Sequence, residues 1–439
     1  MGLISGIFSA LVRSFTGRPA TQLQRDISAL HGESADLDVV TENIAPEGSP
    51  LKENGRRKVT HDKRLLPKKP PEGWGPRKRV MDATEASRLF SASLRSSNRD
   101  VVHIAVDTKQ LQRLGLPVWK SEQELANALG LSVGVLRHYS MHRPADRICH
   151  YVQFAIPKKS GGQRIIHAPK KKLKEIQRVL NRELVSLLPQ SEAAHAFRKD
   201  RSVLTNAEPH VGKNIVIKLD LKDFFPTITL QRVRGYLVAA GYSYPVAATL
   251  ALLMTEAERQ PVDVDGEMHY VATGSRCCVQ GAPTSPGICN AITAKMDRRL
   301  TGLARSYNLG YTRYADDLTF SGDINSSSIK KLLSLVYLIV KEEGFEINNK
   351  KTRVLRKGGR QRVAGVIVNE TLGLSRQDRR KLRAAIYQAK QADPDGSDTA
   401  RWSKLRGKIA YLNMLNSEQA AKLIALAPDQ LSSKAADSE

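Results

Sequence analysis

The spacing of apolar positions along the chain changes period several times, and each change marks an element. Lys120-Ser121-Glu122-Gln123-Glu124-Leu125-Ala126-Asn127-Ala128-Leu129-Gly130 has helical spacing with matching end signals. Ser121 suits an N-cap, Glu124 completes a capping box and Gly130 closes the C-terminus. A partner helix is predicted over 131–139. From Tyr151 the period falls to two, which predicts strands over 151–157 and 164–168 joined by the turn Lys158-Lys159-Ser160-Gly161-Gly162. Helical spacing returns over 170–188. Residues 215–219 form an apolar run interrupted by Lys218, a buried strand that ends on Asp220. Further helices are predicted over 83–94, 230–254, 286–307 and 329–343, a hairpin over 311–321 and a strand over 362–368. The C-terminal part, 375–427, is helical, with a capping-box start at Ser375 and Asp378. No internal repeat is present.

Before the first of these elements the pattern is different. Residues 2–13 are apolar but lack the basic start and small-residue cleavage site of a secretory signal, so a short amphipathic docking helix and a frayed terminus both fit them. Residues 17–79 mix Gly, Pro, Ser and charge without a period. Their later part is strongly basic, with Arg56-Arg57-Lys58, Lys68-Lys69-Pro70-Pro71 and Arg77-Lys78-Arg79. An arm that grips RNA and a solvated linker both fit that stretch. The resulting division is an N-terminal extension over 1–80, a small helical region over 81–145, an α/β body over 146–370 and a helical part with a tail over 371–439.

Composition narrows the function classes. The 439 residues are 41% hydrophobic, enough for a sizeable interior. Lys and Arg number 69 against 44 acids, a net charge of +25. Such an excess repels itself unless a polyanion screens it, which points to nucleic acid. Cys149, Cys277, Cys278 and Cys289 form no CxxC pair and no Cys/His cluster suited to zinc. No apolar run reaches the roughly 18–20 residues of a membrane span, so a cytoplasmic protein is expected.

The candidate chemistry is acidic. Tyr314-Ala315-Asp316-Asp317 puts two adjacent carboxylates at the turn of an apolar hairpin, and Asp220 ends a buried strand. Like charges placed together are costly unless a cation neutralises them. Mg²⁺ favours carboxylate and phosphate oxygens. Carboxylates gathered on two ions roughly 3.5–4 Å apart can activate a 3′-hydroxyl and stabilise a leaving pyrophosphate. An Asx-rich turn with no further role is the plainer alternative for Asp316-Asp317.

The flanking segments resemble reverse transcriptases. Tyr314-Ala315-Asp316-Asp317 is similar to that family's metal-binding tetrad, and Leu219-Asp220-Leu221-Lys222-Asp223-Phe224-Phe225-Pro226 resembles its first aspartate motif. Gln280-Gly281-Ala282-Pro283-Thr284-Ser285-Pro286, followed by Asn290, resembles the nucleotide-binding motif. Gly344-Phe345-Glu346-Ile347-Asn348-Asn349-Lys350-Lys351-Thr352 resembles the next motif along, and Lys158 to Arg164 looks like the basic fingers hairpin. Thr205-Asn206-Ala207-Glu208-Pro209-His210 resembles a pattern of the retron subgroup. Where retron enzymes carry Val-Thr-Gly near the thumb, this chain has Val363-Ala364-Gly365, a departure that removes a hydroxyl and weakens any RNA contact assigned there.

The resemblance implies a right-hand polymerase: α/β (α+β) fingers and palm on an antiparallel catalytic sheet, then a helical thumb. It implies that Asp220, Asp316 and Asp317 hold two Mg²⁺ ions, with the carbonyl of Leu221 as a further ligand. Arg164 with Lys158 or Lys159 would clamp the triphosphate, and Gln280 would lie against the nucleotide. Phe225 would act as a steric gate against a ribose 2′-hydroxyl, and Lys350 or Lys351 would protonate the leaving pyrophosphate. Asn206, His210, Arg379, Arg380 and Arg383 would contact RNA. The implied substrates are dNTPs and a structured noncoding RNA that serves as template and primer. The implied product is branched RNA-linked single-stranded DNA, made in antiviral defence beside a separate effector protein. Another bacterial reverse transcriptase, or a nonpolymerising RNA-binding scaffold, remains an alternative. Against a group II intron form stands the lack of room after Glu439 for a maturase or endonuclease segment.

Overall fold

The structure is a computed structural model, and it describes residues 105–141, 143, 145–158, 161–264, 266–394 and 397–426. The apolar start, the basic arm, the helix expected over 83–94, Lys159 and the tail after Leu426 lie outside the described residues. The described chain begins with α1 (Thr108–Arg113), α2 (Glu122–Ala128) and α3 (Val133–Ser140), then β1 (Ala145–Asp146), β2 (Tyr151–Pro157), β3 (Gln163–Pro169) and α4 (Lys171–Glu183). Next come α5 (Val203–Ala207), β4 (Ile215–Asp220), α6 (Leu230–Ala240), α7 (Tyr244–Met254), β5 (Arg259–Val264), β6 (Glu267–Ala272) and α8 (Ser285–Ser306). The remainder is β7 (Gly310–Tyr314), β8 (Asp317–Gly322), α9 (Ser326–Glu342), β9 (Arg353–Arg356), β10 (Arg362–Val363), β11 (Val366–Ile367), α10 (Arg376–Ala392), α11 (Thr399–Leu415) and α12 (Ser417–Ile424). Among the described residues no helix is long and apolar enough to cross a membrane.

Two compact units interleave along the chain: one holds 105–189 and 223–292 of the described residues, the other 190–222 and 293–426. The division expected from sequence runs consecutively, whereas here each unit is built from separate segments.

In the first of these units α7 is buried at every position from Val246 to Met254, so it forms a core rather than an amphipathic face. Around it the β2–β3 hairpin stands apart from a three-stranded sheet of order β1-β6-β5. Ser121 caps α2 as expected, its Oγ accepting from Glu124 N at 3.2 Å, but the Glu124 carboxylate reaches back to Lys120 N rather than closing on Ser121. The single helix expected over 230–254 is two helices. Gly241 turns left-handed between them at φ 118°, and a Cβ there would lie 2.8 Å from the Asp107 carbonyl. The β5–β6 hairpin was not expected, because Pro261 and alternating charge disguise β5.

The second unit is built on an antiparallel sheet of order β7-β8-β4-β9. β4 is central, with Ile215 paired to both Gly322 and Arg356. The strand expected over 362–368 is instead the minimal hairpin β10–β11. Ala364 at φ 44° and Gly365 at φ 95° form its two-residue turn, and positive φ at both positions matches strand twist. Its Val363 and Val366 pack with Ala207, Val216, Val368 and Leu415. The C-terminal helices α10 to α12 close on their own core of Leu382, Ile386, Trp402, Leu405, Leu412 and Leu423.

One polar device fastens the β7–β8 hairpin to α8. Arg313, fully buried, donates Nε and Nη2 to the two oxygens of buried Asp297, each at 2.8 Å. The Tyr311 hydroxyl donates to the same carboxylate at 2.9 Å, and Arg313 Nη1 donates to the Ala315 carbonyl at 3.0 Å. The bidentate fork fixes the angle between strand and helix as well as their distance. Replacing Asp297 with Asn removes the charge that faces a buried guanidinium. Urea unfolding of the D297N chain is expected to show a loss of about 3–5 kcal/mol.

Candidate active site

The register of β4 against β8 places Asp220 directly opposite Asp317. β7 and β8 pair Tyr314 with Asp317, leaving Ala315 and Asp316 as a two-residue turn beside them. Ala315 sits at φ 57°, a left-handed conformation that costs a residue with a Cβ. The turn is tied to the end of β4, because Leu221 N donates to the Asp316 carbonyl at 2.9 Å. On the other side Asn348 N donates to the Asp220 carbonyl and Lys222 N to the Glu346 carbonyl, both at 2.8 Å. These bonds carry the chain through 349–351 back to the carboxylates. Lys351 Nζ lies 2.8 and 3.1 Å from the two oxygens of Asp220. Lys350 is exposed and is not brought to the carboxylates.

Burial and crowding set the electrostatics. Burial first, then the charges of Asp317 and Asp220, push Asp316 up to about 6. Burial raises Asp317 as well, against the opposing pull of Lys218. Lys351 is raised by its hydrogen bond to Asp220 and so holds its proton firmly. The carboxylates therefore face more negative charge than the neighbouring side chains cancel. An all-oxygen donor set in that condition fits a hard divalent cation. Among the described residues no three acid, His or Cys side chains already form a cage for one. Lys351 holds Asp220 in the meantime.

The other unit carries the basic hairpin. Ile156 pairs with Arg164 and the Lys158 N–H donates to the Gly162 carbonyl at 3.0 Å, so exposed Lys158 and Arg164 stand at the mouth of the β2–β3 turn. The loop after β6 lies against this hairpin, with His167 N donating to the Gln280 carbonyl at 2.8 Å. Gly281 makes the approach possible, at φ 116° and with a Cβ position only 2.7 Å from the His167 carbonyl. Gln280 and Arg164 are thus held on one support. Phe225 is half-buried, edge-to-face with Phe224 at 5.4 Å between ring centres.

The RNA contacts expected of Asn206 and His210 are revised. Both side chains are buried, at 1% and 0% exposure. His210 bridges the β7–β8 hairpin, with Nδ1 at 2.7 Å from Ser321 Oγ and Nε2 at 2.7 Å from Thr312 Oγ1. Burial pushes its pKa down to about 3, so it braces β7 and β8 as a neutral ring. The Asn206 side chain is enclosed nearby, and the backbone carbonyl of Asn206 accepts from Thr312 Oγ1 at 3.4 Å. Arg379 is partly buried with its Nε enclosed, whereas Arg380 and Arg383 are exposed. These two line a cleft of about 570 Å³ with Tyr387 and Lys390. Sequence reasoning missed the Arg313–Asp297 fork and Lys218; both act across elements, and no local spacing signals them.

Residues 156–387 match the family model described as reverse transcriptase (RNA-dependent DNA polymerase). The chain is 53% identical over 420 residues to the retron Mx65 reverse transcriptase of Myxococcus xanthus, covering 96% of each chain. It is 39% identical over 391 residues to the retron Mx162 reverse transcriptase of the same organism, covering 85% of this chain and 79% of the other. To the retron Ec86 reverse transcriptase of Escherichia coli it is 30% identical over 322 residues, covering 73% of this chain and 92% of the other.

The raised Asp316 has a stability consequence of definite sign. The folded chain binds that proton more tightly than the unfolded one, so the contribution is present at low pH and lost as pH rises through about 6. Asp316→Asn is expected to raise the thermal midpoint of the metal-free chain by about 2–4 °C near neutral pH. Scanning calorimetry near pH 5 should find a smaller gain, since there the native carboxyl is largely protonated.

Proposed function

The chain belongs to the reverse transcriptases and, within them, to the retron reverse transcriptases, and from that premise we propose which of its residues perform RNA-directed DNA synthesis and what the enzyme copies. Asp220, Asp316 and Asp317 are the metal-holding carboxylates, with the Leu221 carbonyl as an additional ligand and two Mg²⁺ ions as cofactors. When bound, such ions activate a primer hydroxyl and stabilise the pyrophosphate leaving group. The observation that carries the reading is the Asp220–Asp317 pairing beside the Asp316 turn, three carboxylates withdrawn from solvent whose charge Lys351 and Lys218 offset only in part.

The remaining roles belong to the chain's own groups. Lys351 holds a proton on Nζ and neutralises Asp220; once released from that carboxylate it is the better placed of the two lysines to donate to pyrophosphate. Arg164, with Lys158 or Lys159, clamps the triphosphate, for which a guanidinium fork is suited. Gln280 positions the nucleotide, and the Phe225 ring excludes a ribose 2′-hydroxyl. Arg380 and Arg383 offer exposed charge to RNA phosphates.

A second thumb cleft, of about 430 Å³, supports duplex binding between α10 and α11. Lys381, Lys408 and Tyr411 line it together with Gly407. Gly407 sits in the interior of α11, where glycine is disfavoured, although nothing lies within 4 Å of where its Cβ would be. That smooth spot leaves room for a sugar-phosphate backbone.

The named relatives and the charge of +25 support a structured noncoding RNA as template and primer. The product is then branched RNA-linked single-stranded DNA, made in the cytoplasm, with a separate effector protein acting beside it in antiviral defence. Sequencing nucleic acid co-purified with the full chain tests this, and linear DNA without a joined RNA would refute the branched product. The double change Asp316→Asn and Asp317→Asn is expected to lower Mg²⁺-dependent synthesis by at least about a thousandfold, as removal of several kcal/mol of charge stabilisation requires. Unchanged synthesis would refute the carboxylate assignment. Gly407→Leu should stabilise α11 by about 0.8 kcal/mol. At the same time it should raise KM for a primer–template by about tenfold, or 1.4 kcal/mol, a pair of opposite effects readable by thermal melting and steady-state kinetics.

A further inference from the structure

The far end of the catalytic sheet carries a second basic feature. β4 pairs Asp220 with Asp317 at one end and Ile215 with both Gly322 and Arg356 at the other. At about 3.3 Å per residue, Arg356 stands roughly 15–20 Å along the sheet from the carboxylates. Arg356 begins the turn Arg356-Lys357-Gly358-Gly359, closed by Gly359 N donating to the Arg356 carbonyl at 2.9 Å. Arg360 and Arg362 follow directly, and Lys213 lies beside the same turn.

This turn is built rather than loose. The Asn369 side chain donates Nδ2 to the Gly359 carbonyl at 2.7 Å and to the Lys357 carbonyl at 3.3 Å, and its Oδ1 accepts from Gln361 N at 2.9 Å. Gln361 is fully buried and donates Nε2 to the Lys213 carbonyl at 2.9 Å and the Asn214 carbonyl at 3.2 Å. Lys357 N donates to the Asn214 carbonyl at 2.8 Å. Two separate stretches of chain are thereby locked into one platform.

The platform presents positive charge and a smooth crest. Arg356, Lys357, Arg360 and Arg362 are exposed, and among the described residues none of them forms an ion pair; of the exposed acids closest along the chain, Glu346 is paired with Lys222 and Glu370 makes no ion pair with them. Gly358 and Gly359 lie at the crest, and neither has a left-handed φ. A Cβ at Gly358 would meet nothing within 4 Å, and one at Gly359 would meet the Arg356 carbonyl at an ordinary 3.6 Å. Neither backbone conformation nor internal packing calls for glycine here. Two residues without side chains leave the crest open to close approach by another backbone.

We propose that this crest grips the phosphates of a base-paired RNA element that is not being copied, held at the opposite end of the sheet from the carboxylates. The proposal rests on the reading that the chain works on RNA. A folded RNA is favoured over an acidic protein because none of the exposed large hydrophobic residues belongs to this platform. Protein interfaces draw their strength from such anchors, whereas phosphate contacts need charge and access.

The test uses the full chain with Arg356→Gln, Lys357→Gln and Arg360→Gln combined, a variant that leaves every proposed metal and nucleotide residue intact. The probe is an RNA hairpin of about 20 base pairs, longer than the roughly 16 that double-stranded RNA binders span. Titration over a range of salt should show affinity lowered by at least tenfold and a salt slope shallower by about 2–3, one unit for each phosphate the variant no longer neutralises. Synthesis on a short oligo(rA)–oligo(dT) duplex should stay within about twofold of the unaltered chain. Gly358→Leu, which keeps every charge, should also weaken the hairpin complex while leaving the slope nearly unchanged. Unaltered affinity and slope in the triple variant would overturn the proposal, as would an equal loss on the short duplex. Loss of poly-glutamate binding with hairpin binding intact would overturn it too, and would assign the crest to an acidic protein. The two readings fail separately: an unaltered chain inactive on the short duplex removes the polymerase assignments, whereas an unchanged hairpin titration removes this one.

Discussion

Like charges set side by side where water is scarce repel one another, and much of the unit built on the β7-β8-β4-β9 sheet is organised to bear that repulsion. Asp220, Asp316 and Asp317 come from two strands and a turn, and each is partly or wholly withdrawn from solvent. A carboxylate left to itself would rotate towards water. Here the antiparallel register, the Leu221–Asp316 backbone bond and the left-handed Ala315 leave little freedom to do so. Lys351 relieves Asp220 but reaches it from an exposed position, so the relief is weak.

The supports of this arrangement are themselves polar, which is unusual for a core. Arg313 and Asp297 bind the hairpin to α8, and His210 spans β7 and β8 through Thr312 and Ser321. An apolar contact would hold these pieces together but let them slide. Directional bonds fix register as well, and a sheet with acids at one end needs register above all. The neutral state of His210 belongs to the same logic, because a charged ring in that position would lack solvent and counter-charge alike.

What could be foreseen from the sequence was what is local. The apolar run into Asp220, the acidic turn, the Ser121 cap and the basic fingers hairpin all have short-range signatures, and the structure has an element at each. Boundaries failed where tertiary contacts decide them: Gly241 breaks a helix because the Asp107 carbonyl crosses it, and 362–368 folds back on itself at Ala364. β5 and β9 escaped notice because Pro261 in the one, and Arg353 and Arg356 at the ends of the short other, mask a strand pattern. Asn206 and His210 looked like polar turn residues. Their enclosure depends on strands about a hundred positions later, which no spacing rule reaches.

The interleaving of the two units also bears on how the chain is made. β4 leaves the ribosome with an apolar sequence and no neighbour, since its partners begin at Asp317 and Arg353. At about 5–20 residues per second, that is roughly 5–25 seconds of synthesis during which an unpaired strand is open to association with other chains. Meanwhile the intervening segment, 223–292, can condense with the residues already made before it. The nascent β4 strand is therefore a natural client for a holding chaperone, and slow translation through the late strands would lengthen its exposure.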